Sequence, residues 1–407
     1  MLTSFCIFQN EELDMKKITL SLAVIAMMVT AANADIKNES FGGSGSLFYG
    51  TNDASDGDLF NKATSFGNAA VQLGGTASVG SCDTCVKLNY GVTGVSTMGL
   101  ENTLVGSTWV NHTDGLNDGV WIDTLNLTFN PLDGISNTTM VVGRQALATP
   151  MVFTETWNIA KNTYDAIVAV NNDITDTTLV GAWVGRSNVA HGSTVNVANI
   201  GDGYSQFLTK EGAYAFGAVT KLIPTVDAQA WYYVAPSTAN VAWLQAETNI
   251  AGFTLGAQFG MLDGADNSDG NAIGVKIGYD YSGIGVSAAY STVDQMDGTS
   301  GALGFVNLGG AQTPLYTAGW WDVGSQGASD TDAYNLTATY GLDGIADLGL
   351  FYTNWENQTS GNATSEIAVT AGKSLGNLDV TLAFINTDAD GAADTVNDIQ
   401  AYLTYNF

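Results

Sequence analysis

The stretch Asp398-Ile-Gln-Ala-Tyr-Leu-Thr-Tyr-Asn-Phe407 decides the fold class. Ile399, Ala401, Leu403, Tyr405 and Phe407 share one face of an extended strand, and Gln400, Tyr402, Thr404 and Asn406 share the other. One apolar and one polar face at a two-residue period make a half-buried strand. By itself the segment fits an edge strand of a soluble sandwich or a stave of a membrane barrel. A closing aromatic favours the barrel, whose strands run between lipid and a polar lumen.

The same period recurs upstream between Gly-, Asn- and Asp-rich breaks. Strands are expected at Phe41–Gly50, Phe66–Ser78, Val86–Thr97, Gly119–Phe129, Thr138–Leu147, Thr163–Asn171, Asp176–Arg186, Gly212–Leu222 and Thr225–Val234. They continue at Asn240–Thr248, Gly252–Met261, Asn271–Tyr281, Gly283–Thr292, Asp332–Gly341, Ile345–Trp355, Glu366–Leu375, Leu378–Thr387 and Asp398–Phe407. The connections alternate between long (51–65, 98–118, 148–162, 187–211, 293–331) and short (Asn172–Thr175, Ile223-Pro224, Ser282, Gly376-Asn377), with 235–239 as a short exception. The expected fold is therefore all-β: a transmembrane antiparallel barrel of about 18 strands, with 16 as the alternative count, short periplasmic turns and long extracellular loops. Aromatics at strand ends, including Tyr49, Phe129, Tyr164, Tyr279, Tyr334, Tyr340 and Tyr405, are expected to form interfacial girdles.

Composition agrees. The 407 residues include 48 Gly and only 5 Pro, and no Pro- or Ser-rich linker divides the chain. Met15-Lys16-Lys17, the apolar run Ile18–Val29 and Ala32-Asn33-Ala34 have the form of a secretory signal peptide. Cleavage after Ala34 is expected, with residues 1–34 an upstream extension plus signal and 35–407 a single outer-membrane barrel domain. Residues 1–34 hold two of the 12 Lys/Arg and three of the 40 Asp/Glu, leaving 10 basic against 37 acidic residues. Such a balance argues against nucleic acid as a partner and predicts a field that draws cations. Cys82 and Cys85 lie between two alternating segments, where a short-loop disulfide is expected rather than a redox motif or zinc site.

The strand Val120–Phe129, the turn Asn130-Pro131-Leu132-Asp133-Gly134 and the strand Thr138–Leu147 with Gly143-Arg144-Gln145 resemble the equivalent hairpin of the campylobacterial major outer membrane porins. That family is similar in turn to the OprD-type porins. Tyr405 and the final Phe407 resemble the assembly signal read by the barrel-assembly machinery. The resemblance implies an 18-stranded barrel, usually a homotrimer, in outer-membrane lipid with lipopolysaccharide, passing ions and small hydrophilic solutes without a cofactor. OprD-type pores carry a basic ladder for carboxylates, which ten Lys/Arg supply poorly.

Selectivity needs a constriction. Residues 148–162, with Glu155, Trp157 and Lys161, follow the Gly-Arg-Gln strand, and Met151-Val152-Phe153 would be buried by folding into the lumen. Arg144 and Lys276, with Lys87 and Lys221, are candidates for a positive side. Asp165, Asp227 and Glu247, with Glu155, are candidates for a negative side. On this reading Asp165→Asn and Asp227→Asn lower a cation preference. Wall-bracing ion pairs are the alternative at each position, and inward placement of Arg144 also turns Met140 and Val142 inward. Asp266, Asp269, Asp388 and Asp390 match parts of calcium loops without the full ligand series, so only weak divalent binding is in question. His112 and His191 anchor no nucleophile motif, and no enzyme activity is expected. Two rival readings are a substrate-selective porin and a surface-binding barrel acting through 293–331 with Trp320 and Trp321.

Overall fold

The computed structural model describes residues 36–54, 57–80, 86–107, 119–189, 203–265, 268–296 and 304–407. The expected signal and its cleavage point, Cys82, Cys85, His112, His191 and Asp266 lie outside the described residues.

Among the described residues, eighteen long strands form one closed antiparallel sheet. They are β1 (Ile36–Asn52), β2 (Ser65–Val79), β3 (Val86–Ser96), β4 (Gly119–Phe129), β5 (Thr138–Gln145), β6 (Tyr164–Ile174), β7 (Thr177–Ser187), β8 (Ala213–Thr220) and β9 (Val226–Ala235). The second half comprises β10 (Ala239–Ile250), β11 (Phe253–Gly264), β12 (Gly270–Tyr281), β13 (Ile284–Val293), β14 (Thr331–Leu342), β15 (Ala346–Asn357), β16 (Ala363–Leu375), β17 (Leu378–Ala389) and β18 (Val396–Asn406). Closure satisfies the backbone groups of every stave, which lipid could not do. The seam pairs β1 with β18, from Ser44 opposite Asn406 to Asn52 opposite Asp398. Reciprocal bonds between Gly43 and Phe407, at 2.9 and 3.0 Å, extend it to the last residue.

The short turns have a local cause. Ala251 and Gly252 (φ 53° and 85°) and Ser282 and Gly283 (φ 50° and 80°) both take left-handed backbone. Two such central residues match the twist of a tight hairpin. The short connection after Ala235 is also a hairpin turn, with Ser237 at φ 61°, so the exception in the loop-length alternation is real.

Exposed apolar residues follow the outward parity of the staves. On β18 Leu403 and Tyr405 are exposed whereas Asp398 and Gln400 are buried; on β12 Ile273, Val275 and Ile277 are exposed. Tyr334, Tyr340 and Tyr405 stand on this outer surface. Tyr164 does not: it is fully buried inside, where its hydroxyl donates to the Phe153 carbonyl at 2.7 Å.

Inside, the inward residues of β6 to β13 pack into a core with Met151, Val152, Phe207, Phe305, Leu308 and Leu315. About half of the wall thus has apolar residues on both faces. The filling comes from segments 146–163 and 304–330, both of which dock on inward wall residues.

Candidate constriction and solute path

Segment 146–163 leaves the wall at the end of β5. Thr149 Oγ1 donates to the Val152 carbonyl at 2.7 Å, tightening a small hairpin of Ala148–Thr149 on Val152–Phe153. Met151 N donates to Tyr233 Oη of β9 at 3.2 Å, and the Ile159 carbonyl accepts from Gln72 Nε2 of β2 at 3.2 Å. These anchors lie seven staves apart, so the segment crosses the lumen.

Segment 304–330 docks beside it. Gln258 of β11 donates to the Pro314 carbonyl at 2.9 Å and accepts from Tyr316 N at 3.0 Å. Glu366 of β16 accepts from Trp321 N at 2.9 Å and Asp322 N at 2.7 Å. Glu155 joins the two segments. Its Oε1 accepts from Asn307 Nδ2 at 2.9 Å and from the Ala311 and Gln312 amides, both at 2.7 Å. Its Oε2 accepts from Trp157 Nε1 at 3.0 Å. A Cβ on Gly310 would lie 1.9 Å from Oε1, so the latch requires glycine there.

The open space lies on the other side, against β1 to β4 and β16 to β18. An upper cavity of about 960 Å³ is lined by Phe66, Asp322, Glu366 and Asp398 among others, and one of about 320 Å³ reaches Trp320, Thr381 and Tyr402. Both are lined by Trp157, Trp321 and Val323. A third space of about 490 Å³, toward the end that holds Phe407, is lined by Ser44, Gln72, Asp123, Lys161 and Asn406.

Of the residues singled out from sequence, Trp157 and Lys161 line this path. Glu155 is 3% exposed and spends its carboxylate on the latch. Arg144 and Asp165 are paired in register with each other and with Leu125 at the end of β5. Ala166 and Val168 pack on the interior core, and the pairing of β6 with β7 shifts register between Asp165 and Ala166. Arg144 Nε and Nη2 hold both Asp165 oxygens at 2.8 and 3.2 Å, and Nη1 donates to the Ile122 carbonyl left open where β5 ends, at 2.9 Å. Arg186 adds a second cation to Asp165 at 3.0 Å, and the Tyr204 ring lies 3.2 Å from the Arg144 guanidinium. Burial pushes the Tyr204 hydroxyl up to about 12, so it stays protonated beside that cation. This group braces the wall.

Lys276 pairs with Glu247 at 3.2 Å under the Tyr316 ring, 4.4 Å away, so it too is matched and covered. Burial and the Glu247 carboxylate both raise the Tyr316 hydroxyl. Asp227 pairs with Lys221 at 2.7 Å, both well exposed near a short turn, and Lys87 pairs with Glu39 at 3.1 Å. Asp269 accepts from Gly264 N at 3.1 Å and Asp390 from Ala363 N at 3.0 Å, while Asp388 is exposed at the end of β17. Among the described residues no group of three or more His, Cys, Asp or Glu is placed to hold a metal ion.

Sequence reasoning missed the acids on the path. Asp322, Glu366 and Asp398 line the upper cavity, and neither it nor the next has a Lys or Arg among its described lining residues. Glu366 and Asp398 had a readable signal, an acid at inward parity near the long-loop end of its strand. Trp320 and Trp321 also lie inside, Trp320 edge-on to Tyr402 at 6.5 Å and Trp321 against Phe66 at 6.4 Å. The reading of these two rings as an outward binding surface is thereby overturned.

A closed 18-stranded antiparallel barrel, apolar outside and narrowed by inward-folded segments, is the fold of outer-membrane porins. The structure superposes on Pseudomonas aeruginosa OccK1 (OpdK) with a TM-score of 0.71 at 14% identity, covering 91% of this chain and 99% of that one. It matches Pseudomonas aeruginosa OccK3 (OpdO) with a TM-score of 0.66 at 16% identity, over 91% and 96% of the two chains. Acinetobacter baumannii OccAB3 gives 0.68 at 14%, over 90% and 99%. In sequence, the chain is 28% identical over 149 residues to the outer membrane porin protein OmpD of Salmonella typhimurium, which is 33% of this chain. The match spans 41% of that relative's length. No protein-family model matches the chain.

Proposed function

We propose that this chain is an outer-membrane porin, a passive and cation-preferring diffusion channel for ions and small hydrophilic solutes. The observation that carries the reading is the run of cavities past Trp157 and Trp321, lined by Asp322, Glu366 and Asp398 without a facing Lys or Arg among the described lining residues. Acids in a narrow, low-dielectric passage concentrate cations and repel anions. The exposed apolar face of the staves supports residence in lipid. Kinship with the campylobacterial major porins belongs to this proposal and rests on the 120–147 hairpin. Purified protein added to a planar lipid bilayer in potassium chloride is expected to produce stepwise conductance without added energy. A protein that inserts and conducts nothing would remove the reading.

A further inference from the structure

We propose that the upper cavity is a transit site for organic cations bearing a flat apolar ring, the chemistry of ring-bearing primary or quaternary amines. The proposal rests on the channel reading above and adds a solute class to it. Three observations converge on the cavity.

The first is negative charge without a described cation facing it. Asp398 is 6% exposed and lines the cavity beside Asn52. Close by on the same inward face, Gln400 is fully buried against it. The Gln400 and Asn52 side chains stand against this carboxylate, and its charge acts on the cavity from the wall. Glu366 and Asp322 bond only to backbone amides and to the Ser325 hydroxyl, which leaves their charges without a described cation.

The second is aromatic surface beside that charge. Phe66, Trp157 and Trp321 line the upper cavity, and Trp320 and Tyr402 continue the track below. Glu366 accepts from the Trp321 backbone amide itself, so carboxylate and indole are adjacent by construction. The Trp157 indole is held by Glu155. A cation over such a face is attracted by the ring quadrupole, and more strongly where water is excluded.

The third is size. About 960 Å³ is ample for a single-ring amine and falls within the usual range of small-molecule pockets. A ring-bearing cation collects both terms, whereas an inorganic cation collects charge alone. An aromatic carboxylate of the same shape meets repulsion.

The test uses the full protein in a planar bilayer, with benzyltrimethylammonium, tetramethylammonium or benzoate added in turn on the long-loop side. Potassium current is expected to be interrupted roughly tenfold more often by benzyltrimethylammonium than by either comparator. Asp398→Asn should lower that frequency several-fold. Trp157→Leu should remove the advantage over tetramethylammonium while keeping the advantage over benzoate. Should either variant fail to insert, the unmodified protein still decides, because interruption must weaken as potassium chloride is raised. Equal interruption by benzoate, or none by any probe while potassium is conducted, overturns the transit site and leaves the porin reading standing. Absence of potassium conductance overturns both.

Discussion

Glu155 shows how a pore acid can serve shape rather than charge. Its four hydrogen bonds tie two lumen segments together, and bonds to an ionised acceptor are worth roughly 1.5–3 kcal/mol each. Glu155→Gln keeps the volume and loses the anion, which weakens the docking by about 2–3 kcal/mol. Lys161 is then expected to become a site of limited trypsin cleavage in folded, detergent-solubilised protein. Resistance equal to the unmodified chain would count against the latch. Asp165 gives a contrasting expectation. Held by the partly buried Arg144 and the exposed Arg186, it contributes about 1–2 kcal/mol to the wall. Asp165→Asn should therefore lower the unfolding midpoint and leave ion selectivity unchanged. A clear fall in cation preference would count against a bracing role for Asp165.

At the scale of elements, all eighteen staves were legible from period two, with ends displaced by a few residues. Gly119–Phe129 agrees at both ends, whereas β1 begins at Ile36 rather than Phe41 and β16 at Ala363 rather than Glu366. Which face of each stave looks inward was legible only where the lumen is wet. On β12 the alternation of Ile273, Val275 and Ile277 with Lys276 was enough; on β6 the interior core makes Ala166 and Val168 as apolar as the lipid-facing Ile167, and parity became ambiguous. The inward course of 146–163 was foreshadowed by Met151-Val152-Phe153. That of 304–330 was not, because paired tryptophans read alike for an outer surface and an inner wall. The seam makes an acid-dependent prediction. Beyond the end of β1, Asp53 accepts from Asn397 N at 2.7 Å and from Asn397 Nδ2 at 2.8 Å, clasping β1 to β18. These bonds, the side-chain one foremost, hold its carboxyl below the usual value. A depressed folded value means that the clasp is complete above about pH 5 and lost as pH falls through that value. The stability difference between the unmodified chain and Asp53→Ala, followed by denaturant unfolding, should shrink on acidification through that window. A difference constant down to strongly acidic pH would contradict the clasp.

The whole barrel is divided lengthwise. Against β6 to β13 the lumen is closed by a packed core, and against β1 to β4 and β16 to β18 it is open, acidic above and bearing Lys161 below. The excess of acidic residues, 40 Asp and Glu against 12 Lys and Arg, extends the same sign of field beyond the pore. Sequence charge alone indicated the sign; the fold puts Asp322, Glu366 and Asp398 on the upper cavity away from any described lining Lys or Arg, whereas the other candidate acids are held in ion pairs or in the latch. The proposed cation preference is tested most directly by the reversal potential of the unmodified protein across a potassium chloride gradient in a planar bilayer. A potential on the potassium side is expected, growing as the salt on both sides is diluted. A potential near zero, or one on the chloride side, would contradict it.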